Sequence, residues 1–156
     1  MNRLYITIIL ILFFDFKVLA GELIGIAKIT DGDTIKILNN SIRLHGVDAP
    51  EKKQKCIKNF KEYNCGQVAT EALVNQIGGR QVTCKVQDKL DRYKRYLGVC
   101  FVKGVNLNKW LVRNGYVVAY RRYSKNYIDD EEYAKINKLG LWSGNFVQPE
   151  KWRKLN

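Results

Sequence analysis

A single histidine, His45, occurs among 156 residues, which excludes a metal centre built from several imidazoles. No two cysteines stand in a CxxC spacing, which argues against a structural zinc site. Past the first twenty residues no apolar run approaches the ~20 needed to cross a bilayer. Internal repeats, low-complexity tracts and an interdomain linker are all missing, so one domain is expected. Acidic residues are also scarce beside basic ones: 15 Asp and Glu against 27 Lys and Arg, a formal net charge of +12. A surface so cationic favours polyanionic partners, because it steers and holds phosphates.

What is present begins with a leader. Asn2 and Arg3 precede an apolar run from Leu4 to Phe14, and Val18, Leu19 and Ala20 place small residues three and one before Gly21. This pattern predicts a secretory signal peptide over residues 1–20, cleaved near Ala20, and a mature domain over 21–156. The run stops at Asp15, too short for a membrane anchor, so no stable membrane insertion is expected after cleavage. Export to the periplasm or beyond makes an oxidising compartment the default for the four cysteines, Cys56, Cys65, Cys84 and Cys100. Three pairings are possible. Cys84 and Cys100 lie in two strand-like runs joined by a short polar turn, which favours Cys84–Cys100 and hence Cys56–Cys65.

Along the chain, Leu23–Ile29, Thr34–Leu38 and Ile42–Val47 read as a meander of three short strands, with turns at Asp31-Gly32 and Asn39-Asn40. Parity in the third strand sets Ile42 and Leu44 on one face and Arg43, His45 and Val47 on the other. A lysine-rich loop follows, from Glu51 to Cys65. Gly66–Ile77 has helical spacing through Val68, Ala69, Ala72, Leu73 and Ile77, stopped by Gly78-Gly79. Gln81–Val86 and Leu97–Val102 are two more strands. Asn106 caps a helix carrying Leu107, Trp110 and Leu111, and a short strand covers Tyr116–Ala119. A last helix starts near Asp129, with Tyr133, Ile136 and Leu139 expected against the barrel. The tail from Trp142 is expected to pack back on the domain. Together these make an α+β domain, with closure into a small barrel as the economical way to remove sheet edges.

The chemistry concentrates between Asp31 and Glu51. Crowded carboxylates raise one another's pKa unless a positive group intervenes, and a hard cation serves that purpose. Cleaving a phosphodiester calls for a Lewis acid, a positioned base and fixed guanidinium groups. Asp33 and Asp48 are oxygen ligands of the kind Ca²⁺ accepts, and Glu51 is placed to hold an attacking water. Arg43 comes from a strand beside that loop, and Arg95, just before another strand, should be better fixed than Arg92. Arginine suits the task because its planar fork binds phosphate through two bonds and stays charged.

The ordered set DGDT, IRLHGVDAPE, DRYKRYLG, NLNKWLVRNGYVVAY and GLWSG resembles the staphylococcal nuclease family of secreted calcium-dependent thermonucleases, from about Leu23 to the C-terminus. The resemblance implies a five-stranded antiparallel OB-fold β-barrel with three helices, acting on DNA and RNA and leaving 3′-phosphates. It implies that Asp33, Asp48 and the backbone carbonyl of Ala49 ligate calcium, that Glu51 is the general base, and that Arg43 and Arg95 are the catalytic arginines. Ala49 stands where a threonine is familiar, and Lys94 where a glycine is common. The nearest matches to the aromatic residues flanking substrate are Tyr93, Tyr120 and Tyr123, with Arg92 beside them. The family uses no histidine at the place of His45. Nothing in the chain calls for more than a monomer. The alternative reading is a noncatalytic OB-fold that only binds nucleic acid through its basic face.

Overall fold

The computed structural model describes residues 21–156; the expected signal peptide, residues 1–20, lies outside them. β1 (Gly21–Asp31), β2 (Thr34–Ile37) and β3 (Asn40–Leu44) form the expected meander, followed by the two-residue β4 (Val47–Asp48). A small hairpin of β5 (Cys56–Lys58) and β6 (Lys61–Tyr63) precedes helix α1 (Cys65–Ile77). β7 (Gln81–Leu90), β8 (Tyr96–Val102) and the short β9 (Val105–Asn106) complete the large sheet. Helix α2 (Leu107–Arg113), β10 (Val118–Ala119), α3 (Ile128–Ile136), a 3₁₀ turn (Gly140–Ser143) and α4 (Pro149–Leu155) finish the chain.

Strands run in the order β3-β2-β1-β7-β8-β9, and a further pairing of β3 with β8 closes the five main strands into a barrel. That closing pair is parallel, with Ile42 opposite Tyr96 and Leu44 opposite Gly98. The barrel is therefore mixed rather than purely antiparallel, and the described residues carry four α-helices rather than three. Closure joins strands far apart in sequence, so their relative direction depends on the path of the helical crossover. Strand alternation fills the interior with Ile35, Ile37, Ile42, Leu44, Val82, Cys84 and Cys100. Each fully buried Ile or Leu contributes about 1.5–3 kcal/mol by leaving water. Cys84 and Cys100 are opposite one another in the β7–β8 register and are bonded; Cys56 and Cys65 are bonded as well, which leaves no cysteine free among the described residues.

Three local expectations change. β3 ends at Leu44, because Gly46 takes a positive φ of 77° that only glycine adopts without strain. The bend rotates Val47 into the core, where it is 1% exposed, instead of onto the face of Arg43. The lysine-rich segment is not a plain loop: the Cys56–Cys65 bond ties its hairpin to the start of α1. In α3 the buried side is Asp130, Glu131 and Ala134, while Tyr133 and Ile136 are 40% and 79% exposed. Glu131 is affordable there because its Oε1 accepts the Ala119 N–H at 2.9 Å and its Oε2 pairs with Arg121 at 2.5 Å and Lys135 at 3.1 Å. A buried charge so partnered replaces the apolar face that periodicity suggested.

Candidate active site

The site grows from the β1–β2 turn. The Asp31 carboxylate accepts the Asp33 N–H at 3.1 Å, a local bond that sets the turn. Gly32 packs where a Cβ would lie 2.8 Å from the Cβ of Ala49 and 2.9 Å from that of Ala69, so the turn sits directly on the loop after β4 and on α1. This puts the Asp33 side chain inside, 2% exposed. Its Oδ2 accepts the Ala49 N–H at 2.6 Å and its Oδ1 the Thr34 hydroxyl at 3.2 Å.

Arg43 stands opposite Thr34 in the β2–β3 register, which aims its guanidinium between two aspartates. Nη1 pairs with Asp33 Oδ1 and Nη2 donates to Asp48 Oδ1 at 2.9 Å. Asp48, 1% exposed, is fixed by β4, which pairs with β10 through Val118. Burial pushes the Asp33 carboxyl up to about 7, against the pull of Arg43. For Arg43 burial opposes the charge, yet Asp33 and Asp48 outweigh it and raise its pKa. The donors gathered here are hard carboxylate oxygens, a set that suits Ca²⁺ or Mg²⁺ rather than zinc. Among the described residues no group of three or more His, Cys, Asp or Glu side chains converges; two aspartates and an arginine do.

Glu51 follows Pro50 and is held through its backbone. Its N–H donates to the Gln54 side chain at 3.2 Å, its carbonyl accepts the Gln54 N–H at 2.7 Å, and Gln54 Nε2 donates to the Val147 carbonyl at 2.7 Å. Gly66 in the first turn of α1 packs on it so tightly that a Cβ there would lie 1.8 Å from the Glu51 carbonyl oxygen. On the far side, the turn before β8 is organised by Asp91. Its Oδ1 accepts the N–H groups of Tyr93 at 2.8 Å and Arg95 at 3.0 Å, and its Oδ2 accepts Arg95 Nε and Nη2 at 2.9 and 2.8 Å. Lys94 fills the position where a glycine is common with φ of 59°, so the turn keeps a left-handed residue without the glycine.

Of these, Arg43, Glu51, Asp91 and Arg95 line one groove of about 1070 Å³, together with His45, Arg92, Tyr93, Tyr120, Tyr123 and Arg153 among others, whereas Asp33, Asp48 and Ala49 are buried and are not part of its lining. Residues 41–144 match the family described as staphylococcal nuclease homologue. The chain belongs to the staphylococcal nuclease family. It is 32% identical to an uncharacterized endonuclease of Escherichia coli O157:H7 over 97% of both chains. It is 33% identical to a micrococcal nuclease of Shigella flexneri over 90% of this chain and 82% of that one. A succinoglycan biosynthesis protein ExoI of Rhizobium meliloti (strain 1021) is 36% identical over 84% of this chain and 69% of its own.

Within this family member the groove gathers all four expected substrate contacts. Arg92 and Arg95 lie over the Tyr93 ring, 4.8 and 5.1 Å from its centroid, and Tyr120 meets Tyr123 edge-on at 4.8 Å. Burial, and then the Asp48 charge, raise the Tyr120 pKa, so its hydroxyl stays protonated near neutrality. His45 lines the groove, but its backbone does the visible work: its N–H donates to the Gly98 carbonyl at 2.8 Å and its carbonyl accepts from buried Asn108 at 2.9 Å. Asn108 also accepts the Cys100 N–H at 3.1 Å, pinning α2 to the barrel closure.

Sequence reasoning missed Arg153. From α4 its Nη1 and Nη2 reach Asp48 Oδ1 and Oδ2 at 3.0 and 2.9 Å, and Nη1 also reaches Glu51 Oε1 at 3.0 Å. Those carboxylates outweigh the cost of burial and raise the Arg153 pKa further. No motif marks it, since it is one of several basic residues in a tail at a separation of 105 from Asp48. Gln54 and Asp91 were also missed; only the polar residue four before Arg95 in DRYKR hinted at the latter.

Proposed function

We propose that the chain is an exported endonuclease that hydrolyses phosphodiester bonds of DNA and RNA with Ca²⁺, leaving 3′-phosphate ends. The observation that carries this reading is the convergence on one groove of Arg43, Arg95 and Glu51 with three tyrosines, from segments more than forty residues apart. The endonuclease and micrococcal nuclease relatives support the reaction class. Asp33, Asp48 and the Ala49 carbonyl would hold the cation, which polarises the phosphoryl oxygen when bound. The two disulfides fit an oxidising compartment, consistent with residues 21–156 being the exported domain.

Each side chain has a distinct task. Arg43 and Arg95 hold the phosphate, and their fixed orientation lets them stabilise charge that grows on its oxygens. Asp91 keeps two donors of Arg95 occupied and so restricts the plane in which the remaining Nη1 edge is offered. Glu51 accepts the proton of the attacking water, and its carboxylate, 39% exposed, can meet a water at the groove surface. Tyr93, Tyr120, Tyr123 and Arg92 offer faces and charge to bases and flanking phosphates.

The test is a digestion of single-stranded DNA and RNA by residues 21–156 with calcium or with chelator, beside Glu51→Gln. Calcium-dependent cleavage that collapses in the variant while substrate still binds supports the reading. Binding without cleavage by the unmodified protein would leave a noncatalytic OB-fold in its place.

A further inference from the structure

We propose that Arg153 is an internal cation that holds Asp48 and Glu51 in the metal-free protein and exchanges with the divalent cation, coupling cation binding to release of the C-terminal helix. This rests on the calcium reading above and adds to it a competitor carried by the chain itself.

The carrying observation is the occupation of Asp48. Its Oδ1 accepts from both Arg43 and Arg153, at 2.9 and 3.0 Å, and its Oδ2 accepts from Arg153 at 2.9 Å. The carboxylate is 1% exposed. While Arg153 remains, Oδ1 has both lone-pair directions taken and Oδ2 one of its two, and the remaining direction lies beside a positive guanidinium, so a divalent cation competes with Arg153 for this carboxylate. Arg43 also fills one of those directions, but it projects from a barrel strand between two aspartates. Arg153 projects from a seven-residue helix at the chain end whose one buried residue is Pro149.

Beyond the buried Pro149 and the half-buried Trp152, α4 is held by charge pairs at the surface. Glu150 pairs with Arg122 at 3.6 Å and with Lys154 on its own helix at 3.3 Å, and exposed pairs of that kind are worth little. An element with so little apolar burial opens at low cost, so Arg153 is the contact that decides whether α4 stays down. The same guanidinium joins Glu51 to Asp48, setting the proposed base beside the cation ligand before any cation arrives. When the cation takes Asp48, Arg153 is freed into a groove that also holds Arg122, Lys154 and Tyr120, where it faces polyanionic substrate.

The experiment measures Ca²⁺ binding by calorimetry, and hydrogen exchange of residues 149–155, for the unmodified protein, Arg153→Gln, Arg153→Lys and the exposed control Lys151→Gln. Removing a competitor raises apparent affinity by the fraction of protein it had blocked. Arg153→Gln should bind calcium about tenfold more tightly, Arg153→Lys should fall between, and Lys151→Gln should match the unmodified protein. Saturating calcium should speed exchange in 149–155 of the unmodified protein, and in Arg153→Gln exchange should be fast without it. Unchanged or weaker calcium binding in Arg153→Gln, with binding intact in the unmodified protein, overturns the exchange and leaves the calcium reading standing. Should Arg153→Gln fold poorly, Arg153→Lys and the exchange data on the unmodified protein decide. Calcium binding by none of them, with cleavage persisting in chelator, overturns the calcium reading and the exchange together.

Discussion

Arg95 places both Nε and Nη2 on one oxygen of Asp91, at 2.9 and 2.8 Å, while the other oxygen accepts the Arg95 backbone N–H at 3.0 Å. One carboxylate thus fixes both the backbone and the side-chain plane of the arginine. Asp91→Asn should lower kcat about tenfold with a smaller change in KM, because a misaimed guanidinium loses transition-state contact first. It should also cost about 1 kcal/mol of stability. Burial is the largest single influence and opposes the Asp91 charge, but the bonds from Arg95 and from the backbone N–H groups together outweigh it and hold its pKa below the ordinary carboxylate value. Its contribution is therefore complete above that ordinary value and lost as pH falls through the lower native one. Unfolding curves of the two proteins should converge at acid pH.

Arg43→Lys should cut kcat by about 10²- to 10³-fold, because a point charge cannot span Asp33, Asp48 and a phosphate together. Circular dichroism should show the fold retained. Near-normal turnover would remove Arg43 from the mechanism.

Gly66→Ala tests whether Glu51 is positioned by α1. A Cβ 1.8 Å from the Glu51 carbonyl oxygen forces that backbone or the helix to move, at a cost of about 1–3 kcal/mol. The expected result is a lower melting temperature together with reduced kcat, and calcium should restore neither. Unchanged kcat would mean that the Glu51 carboxylate tolerates a displaced backbone.

Lys94→Gly should stabilise the protein by about 1 kcal/mol. Lys94 sits at φ of 59°, where a Cβ is crowded and glycine is not. Chemical denaturation should show a raised midpoint with an unchanged slope. No shift would indicate that the Lys94 side chain stabilises the turn by as much as its backbone costs.

Cys84→Ser with Cys100→Ser should cost about 3 kcal/mol, the entropy of a loop that the bond now closes over a separation of 16. Both sulfurs are buried in the barrel, so a hydroxyl pair there adds a polar cost. Chemical denaturation of the double variant beside the unmodified protein, both under oxidising conditions so that Cys56–Cys65 stays closed, should show this difference.

How much of this was legible in the sequence depends on the range over which each feature is decided. The meander, α1 with its glycine stop, the Asn106 cap and both disulfides were legible because alternation, helical spacing and turn chemistry act over a few neighbouring residues. The ordered motifs mark Asp33, Arg43, Asp48, Glu51 and Arg95 by type as candidates, and of these Arg43, Glu51 and Arg95 line the same groove. Tertiary structure alone decided the parallel closure of β3 on β8, because two strands so far apart take their direction from the crossover between them. It decided that Glu131 rather than Ile136 is buried in α3, since Arg121, Lys135 and the Ala119 N–H come from different segments to compensate one charge. It also decided that Arg153 fills Asp48: in the sequence it is one cation among 27 basic residues, and only the return of the tail to the barrel gives it two carboxylates to bind.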